Sequence, residues 1–249
     1  MIETNMKDKV IIVAGATGGI GTGVVKKLDQ SGAITILVGR NETKLRELQN
    51  QLQGESYIYT VDFADVEKLG LLFQFLKSEN LKADGLVYAA GMCIDMPVKV
   101  VDLEDMQAHM QLNYFAYVEL CKHFCKKKFS NDGGSIVGFS SISSFLCEKA
   151  MSQYAASKAA LNAVTETMAK EFADRKIRVN ALAPAFVDTE MAWDTKHVRD
   201  DFEDYLQEKQ PYGMIPVEEI ADWTEFLLSD ASGHITGEIL RISGGYPGM

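Results

Sequence analysis

Lys9 to Gly21 reads KVIIVAGATGGIG, and this stretch decides the fold. Val10 to Ala14 is an apolar run without alternation, the pattern of a strand buried on both faces. The glycines after it stand where a chain turns sharply into a helix. Gly15 permits the tight turn, Gly19 lets backbone N–H groups approach a phosphate, and Gly21 lets helix and strand pack closely. Strand, glycine-rich turn and helix in that order are a cradle for a dinucleotide pyrophosphate, which Gly15, Thr17, Gly18, Gly19, Ile20 and Gly21 are expected to hold.

Outward from this stretch the same alternation recurs. AITILVG (33–39), ESYIYTV (55–61) and DGLVYAAG (84–91) each precede an amphipathic stretch, the third a long helix expected from Glu104 to Phe129. GSIVGFSS (134–141), a helix from Gln153 to Arg175, IRVNALAP (177–184) and EILRIS (238–243) complete the series. Seven buried strands alternating with helices predict an α/β fold, a doubly wound parallel sheet of the Rossmann type. Right-handed crossovers leave few other arrangements, and no Pro-, Gly- or Ser-rich linker divides residues 1–249 into more than one domain. The irregular stretch 185–213 follows the sixth strand, at the sheet edge where such folds bind ligands, and is expected to be a substrate lid.

With 47% hydrophobic residues among 249, the chain can bury a large core; 24% charged residues without low-complexity tracts exclude a mainly disordered chain. A formal charge of −10 argues against nucleic acid or an anionic membrane as partner, since both are held by clustered Lys and Arg. No basic leader with an apolar core opens the chain and no apolar run reaches bilayer length, so a cytoplasmic protein is expected. Cys93, Cys121, Cys125 and Cys147 form no C-x-x-C pair, which suits a reducing compartment. His123 lies between Cys121 and Cys125, yet no further ligands follow at zinc-like spacing, and no metal is expected.

Reducing a ketone requires a group that delivers a proton to the carbonyl oxygen. A tyrosine is a poor acid–base group at its usual pKa, near 10, but a neighbouring ammonium favours its phenolate. Tyr154 and Lys158 are four apart and share a helix face. Tyr205 and Lys209 have the same spacing but lie in an acidic, polar segment and read as a solvated helix face. What distinguishes Tyr154 is Ser141, at a strand end thirteen residues earlier, whose hydroxyl can steady charge on the substrate oxygen.

The spacing Gly15-x-x-x-Gly19-x-Gly21, with Ser141 and Tyr154-x-x-x-Lys158 downstream, resembles the short-chain dehydrogenase/reductase family from Lys9 to about Gly245. The resemblance implies an oxidoreductase interconverting a ketone and a secondary alcohol with a nicotinamide dinucleotide. Asn113 matches the family's fourth catalytic member, which holds a water linking the lysine to solvent, and Lys158 would also bind the nicotinamide ribose. Asp62 and Phe63 match the adenine position, with an Asp capping the next helix as the competing reading of Asp62. Ala90 and Gly91 fall beside the cofactor, although Tyr88-Ala89 replaces an asparagine pair whose loss removes a brace of the central sheet. Pro184, Val187 and Thr189 match the nicotinamide-contacting segment; Ala185 and Ser243 depart from the family pattern. At the end of the second strand, Gly39-Arg40-Asn41 offers a guanidinium and no carboxylate, which favours NADP(H) over NAD(H).

The likeness is strongest to 3-oxoacyl-carrier-protein reductases. It implies a small carbonyl or alcohol substrate, free or carried on acyl carrier protein or coenzyme A. Lys126, Lys127, Lys128 and Arg175 would attract an acidic carrier, or else form a solvated helix end. Met191, Trp193, Phe202, Tyr205, Tyr212 and Met214 give the lid enough apolar surface for an acyl chain, a steroid or an aromatic ketone, while Asp194, Thr195 and His197 could serve a more polar substrate. A reductase of a secondary-metabolite, steroid or sugar ketone, and a non-catalytic dinucleotide-binding regulator, stand as alternatives. Family members pair their long helices into oligomers, so a homodimer or homotetramer is expected.

Overall fold

β1 (Val10–Ala14), β2 (Ile34–Gly39), β3 (Ser56–Thr60), β4 (Ala83–Tyr88), β5 (Ser130–Phe139), β6 (Arg178–Pro184) and β7 (Ile239–Ile242) make one parallel sheet in the order β3-β2-β1-β4-β5-β6-β7. They are seen in a computed structural model that describes residues 4–193 and 201–246. Helices bounded within the described residues include α1 (Gly19–Gln30), α2 (Glu42–Gln49), α3 (Gly70–Ser78), α4 (Leu103–Met110), α5 (Ala116–Phe124), α6 (Ser152–Glu171), α7 (Phe202–Lys209) and α8 (Val217–Leu228).

The unbroken apolar runs have the physical consequence expected of them. Ile12 and Ala14 of β1 face one core with Leu72, Phe73, Leu120, Phe124 and Leu161 from α3, α5 and α6. Their neighbours Ile11 and Val13 face a second core with Val24, Val25, Leu28, Ile220 and Leu227 from α1 and α8. Each such side chain, fully buried, contributes roughly 1.5–3 kcal/mol, so the sheet is stabilised from both sides. Helix starts are set locally: Asn41 accepts from the Lys44 N–H at 3.0 Å to open α2, and Asp102 accepts from the Asp105 N–H at 2.8 Å to open α4.

The helix expected from Glu104 to Phe129 is not continuous. Residues Gln111–Phe115 form a π turn between α4 and α5, and α5 ends at Phe124. The turn lets Asn113 bond the loop after β4, and the Lys126 carbonyl accepts from the N–H groups of Phe129 and Ser130, folding the chain directly into β5. Among the described residues no helix is long and apolar enough to cross a membrane.

Candidate active site

β1 and β4 are neighbours, but the chain leaves β1 toward β2 on one side and β4 toward β5 on the other. Such a switch point opens a crevice at the carboxyl ends of the strands. Gly15, with φ +84°, lies so close to β4 that a side-chain carbon there would stand 2.5 Å from the Ala90 nitrogen. At Gly21 the same carbon would stand 2.0 Å from the Gly15 carbonyl oxygen. Gly19 faces Thr189, whose Cγ2 would be 2.5 Å from an added carbon, so the glycine turn meets the segment after β6. Gly18 caps α1 with extended backbone; the first turn holds no acidic residue and no side chain caps it, which leaves its N–H groups for an anion. Ile20 lies in that turn, and Thr17 Oγ1 approaches the end of β2 at Gly39.

Arg40 follows Gly39, is exposed, and has no hydrogen bond or ion pair among the described residues. Asp62 is exposed and its Oδ1 accepts from the Ala64 N–H at 2.9 Å, a local turn and not a helix cap. Phe63 beside it is buried edge-on to Tyr88. Pro184 ends β6; Val187 is buried and bridges to Ile215, and its carbonyl accepts from Thr189 Oγ1 at 3.2 Å. These residues fit a nicotinamide dinucleotide: an open helix N-terminus, backbone at Gly15 that tolerates no side chain, and a free guanidinium at the end of β2.

Tyr154 lies in the first turn of α6 and Lys158 one turn on, while Ser141 follows the end of β5. Burial pushes the Tyr154 phenol well above its ordinary pKa, and Cys93 and Asp95 push in the same direction. The Ser141 hydroxyl acts the other way. Ser141 Oγ also accepts from the Ser143 N–H at 3.1 Å, which fixes the hydroxyl in place. The buried Lys158 donates to the Phe139 carbonyl at 2.7 Å, its nitrogen 5.7 Å from the centre of the Tyr154 ring. Burial lowers its pKa to about 8, against a smaller opposing effect of Cys93. One N–H of the Lys158 ammonium is thus given to a backbone carbonyl, and burial is the largest of the effects on the phenol.

Asn113 is fully buried in the π turn. Its amide donates to the Met92 carbonyl at 3.0 Å and to Ser157 Oγ at 2.9 Å, and its oxygen accepts from the Met92 N–H at 2.9 Å. Ser157 Oγ in turn donates to the Tyr154 carbonyl at 2.7 Å. Both amide hydrogens are thus used in bracing the loop after β4 against α6. Gly91 sits in that loop, where a side-chain carbon would be 3.2 Å from Asn113 Oδ1 and 3.3 Å from Lys158 Nζ.

Sequence reasoning missed the loop that follows. The Ile94 N–H donates to His109 Nε2 at 3.3 Å, and the Ile94 carbonyl accepts from Gln153 Nε2 at 2.7 Å, so the loop is clipped to α4 and to the residue before Tyr154. This clip brings Cys93 and Asp95 to bear on Tyr154, and their only signal in the sequence was their place after Gly91.

The readings of Tyr205 and Arg175 are corrected by their surroundings. Tyr205 is not a solvated face: it is partly buried and its hydroxyl bonds Tyr246 Oη at 2.9 Å, with Lys209 6.0 Å from its ring centre. Arg175 is tied to Asp132 Oδ1 at 2.7 Å, the Cys125 carbonyl at 2.6 Å and the Ser130 carbonyl at 2.9 Å, which holds it against its own fold. His123 bonds Glu119 at 3.0 Å and stacks on Phe73, and no three potential metal ligands come together among the described residues. The lid expected over 185–213 is only partly in view, because Asp194, Thr195 and His197 lie outside the described residues. Its described parts are held by Gln210, whose amide accepts from the Phe186 N–H at 2.9 Å and donates to the carbonyls of Phe186 and Gly213.

Comparison with known proteins agrees with this geometry. A family profile described as Enoyl-(Acyl carrier protein) reductase matches residues 15–247. The chain is 31% identical to the 3-oxoacyl-[acyl-carrier-protein] reductase FabG of Rickettsia bellii, over 97% of this chain and 98% of that one. It is 32% identical to an acetoacetyl-CoA reductase of Synechocystis, over 99% of each. A solved short-chain dehydrogenase/reductase of Serratia marcescens superposes with a TM-score of 0.89 at 28% identity, covering 97% of this chain and 98% of that one.

Proposed function

The chain belongs to the short-chain dehydrogenase/reductase family, and from that premise we propose an NADP(H)-dependent ketone reductase whose substrate class is a 3-oxoacyl thioester. The observation that carries this reading is the placing of Tyr154 one helix turn from the buried Lys158, whose nitrogen is 5.7 Å from the centre of its ring, with the Ser141 hydroxyl near enough to ease ionisation of the phenol. NADP(H), when bound, supplies the hydride that reaches the carbonyl carbon. Tyr154, kept protonated by burial, gives its proton to the carbonyl oxygen, so that ketone, hydride and proton together make the alcohol. Ser141 donates to the same oxygen as charge develops on it. The protonated phenol is the state from which reduction starts, and its phenolate is the state from which oxidation of the alcohol starts.

Gly15, Thr17, Gly18, Gly19, Ile20 and Gly21 would hold the pyrophosphate, Asp62 and Phe63 the adenine, Ala90 and Gly91 the central cleft, and Pro184, Val187 and Thr189 the nicotinamide. Tyr154 and Lys158 would reach the nicotinamide ribose, and Arg40 the extra phosphate of NADP(H). Asn113 acts as a brace of the catalytic group. Ile94, Phe145, Met191 and Trp193 are exposed apolar side chains on segments that follow the carboxyl ends of β4, β5 and β6, which suits an acyl chain. With Arg175 engaged elsewhere, attraction of an acidic carrier falls to Lys126, Lys127 and Lys128. Leu103, Met106 and Phe115 are exposed along α4 and the π turn, a face that a homodimer or homotetramer in the cytoplasm would cover.

The test is oxidation of NADPH with a 3-oxoacyl thioester, a small ketone and a 2-enoyl thioester. Turnover of the 3-oxoacyl thioester is the expected result; no turnover of either ketone overturns the reading. Arg40→Asp removes a charge-assisted contact and adds repulsion, so the ratio of kcat/KM for NADPH over NADH should fall by about tenfold or more. An unchanged ratio removes the case for a phosphate contact.

A further inference from the structure

Tyr88 is the last residue of β4 and fully buried. Its ring lies edge-on to Phe63 at 5.9 Å and tilted against Tyr117 at 5.5 Å. A hydroxyl in such apolar surroundings needs a partner. Tyr88 finds it in the π turn, where its hydroxyl donates to the Leu112 carbonyl. The next residue along the turn is Asn113, gripped by both the N–H and the carbonyl of Met92. Two successive residues of the turn are therefore held by the last residue of β4 and by Met92 in the loop after it, on either side of Gly91.

Helical geometry shows why that grip matters. A π turn carries one more residue per hydrogen-bonded ring than an α-helix, and each residue adds about 100° of rotation around the axis. Whether the turn closes as π or as α decides which way Asn113 faces. The bond from β4 to Leu112 anchors the turn to the rigid centre of the sheet, immediately before Asn113 meets Met92 and Ser157.

We propose that Tyr88 is a positioning residue: its hydroxyl fixes the π turn, and with it the register of Asn113 against Met92 and Ser157. The brace that the loss of the asparagine pair at Tyr88-Ala89 was expected to remove is supplied here from a different atom, aimed at a helix turn. The consequence for turnover rests on the reading of Asn113 as part of the active centre; the consequence for structure does not.

Tyr88→Phe keeps the ring and deletes the hydroxyl. In the free protein, amide hydrogen exchange at Met92 and within residues 111–116 should quicken by about tenfold, with α1 and α8 unchanged. Unchanged exchange in the turn overturns the proposal, and so does a Tyr88→Phe chain that fails to fold, because the hydroxyl would then be architectural. In the enzyme, kcat should fall by about tenfold with the KM for NADPH within about twofold of wild type. In an Asn113→Ala background the same substitution should change kcat by less than about twofold, since the hydroxyl acts through Asn113. Equal multiplicative losses in both backgrounds overturn that route. A wild-type protein that reduces no ketone defeats the functional reading alone, and the exchange experiment still judges Tyr88.

Discussion

Tyr154→Phe is expected to lower the turnover of a ketone by about a thousandfold, with NADPH affinity within about twofold of wild type. The substitution removes one oxygen and leaves the ring that packs at the start of α6. That oxygen holds a proton through neutral pH because burial disfavours its phenolate. Without it, hydride arriving at the carbonyl carbon leaves an alkoxide with no positioned donor. Ser141 can hydrogen-bond such an oxygen but is far too weak an acid to replace the phenol. The measurement is steady-state oxidation of NADPH beside a fluorescence titration of cofactor binding. Turnover within about tenfold of wild type would contradict the acid role.

Gly21→Ala is expected to weaken NADPH binding by about thirtyfold or more and to destabilise the fold by roughly 1–3 kcal/mol. Its added carbon would stand 2.0 Å from the Gly15 carbonyl oxygen and 2.9 Å from the Gly15 carbonyl carbon, both backbone atoms that no rotamer change can move. Gly15 has little room to retreat, because a carbon built on it would already stand 2.5 Å from the Ala90 nitrogen and 2.7 Å from the Ala89 carbonyl carbon, just past β4. The only relief is to move α1 away from the sheet, which carries its N-terminus, with the N–H groups of Gly19 and Ile20, out of the cradle. Thermal unfolding and cofactor titration read the two effects separately. Wild-type affinity in this variant would show that the glycine turn does not hold the dinucleotide.

The fold was legible because its signals are local and repeated: seven apolar runs without alternation, each bounded by glycine or a helix-forming stretch. Ser141, Tyr154 and Lys158 were legible because one strand end and one helix turn carry all three. The π turn was not, because Gln111–Phe115 has the composition of an ordinary helix and the widening answers to bonds from Met92 and Tyr88 that form only in three dimensions. The end of α5 at Phe124 was hidden for a related reason, since no Gly or Pro stands before Ser130. Tyr88 read as a lost brace because its partner is a backbone carbonyl, which no sequence displays. Four residues of separation put Lys158 near Tyr154, but spacing alone does not show that the Phe139 carbonyl, from a different element, accepts from its ammonium. Arg175 likewise looked like a docking residue until Asp132, Cys125 and Ser130 took its guanidinium.

The pH dependence of kcat/KM for ketone reduction reads the protonation states of the free protein. If a protonated Tyr154 delivers hydrogen to the substrate oxygen beside a cationic Lys158, the value stays level through neutrality and falls as pH climbs past about 8, where Lys158 loses its charge. A value that instead climbs with pH across the same range would mean that a deprotonated group does the work, and would contradict the account.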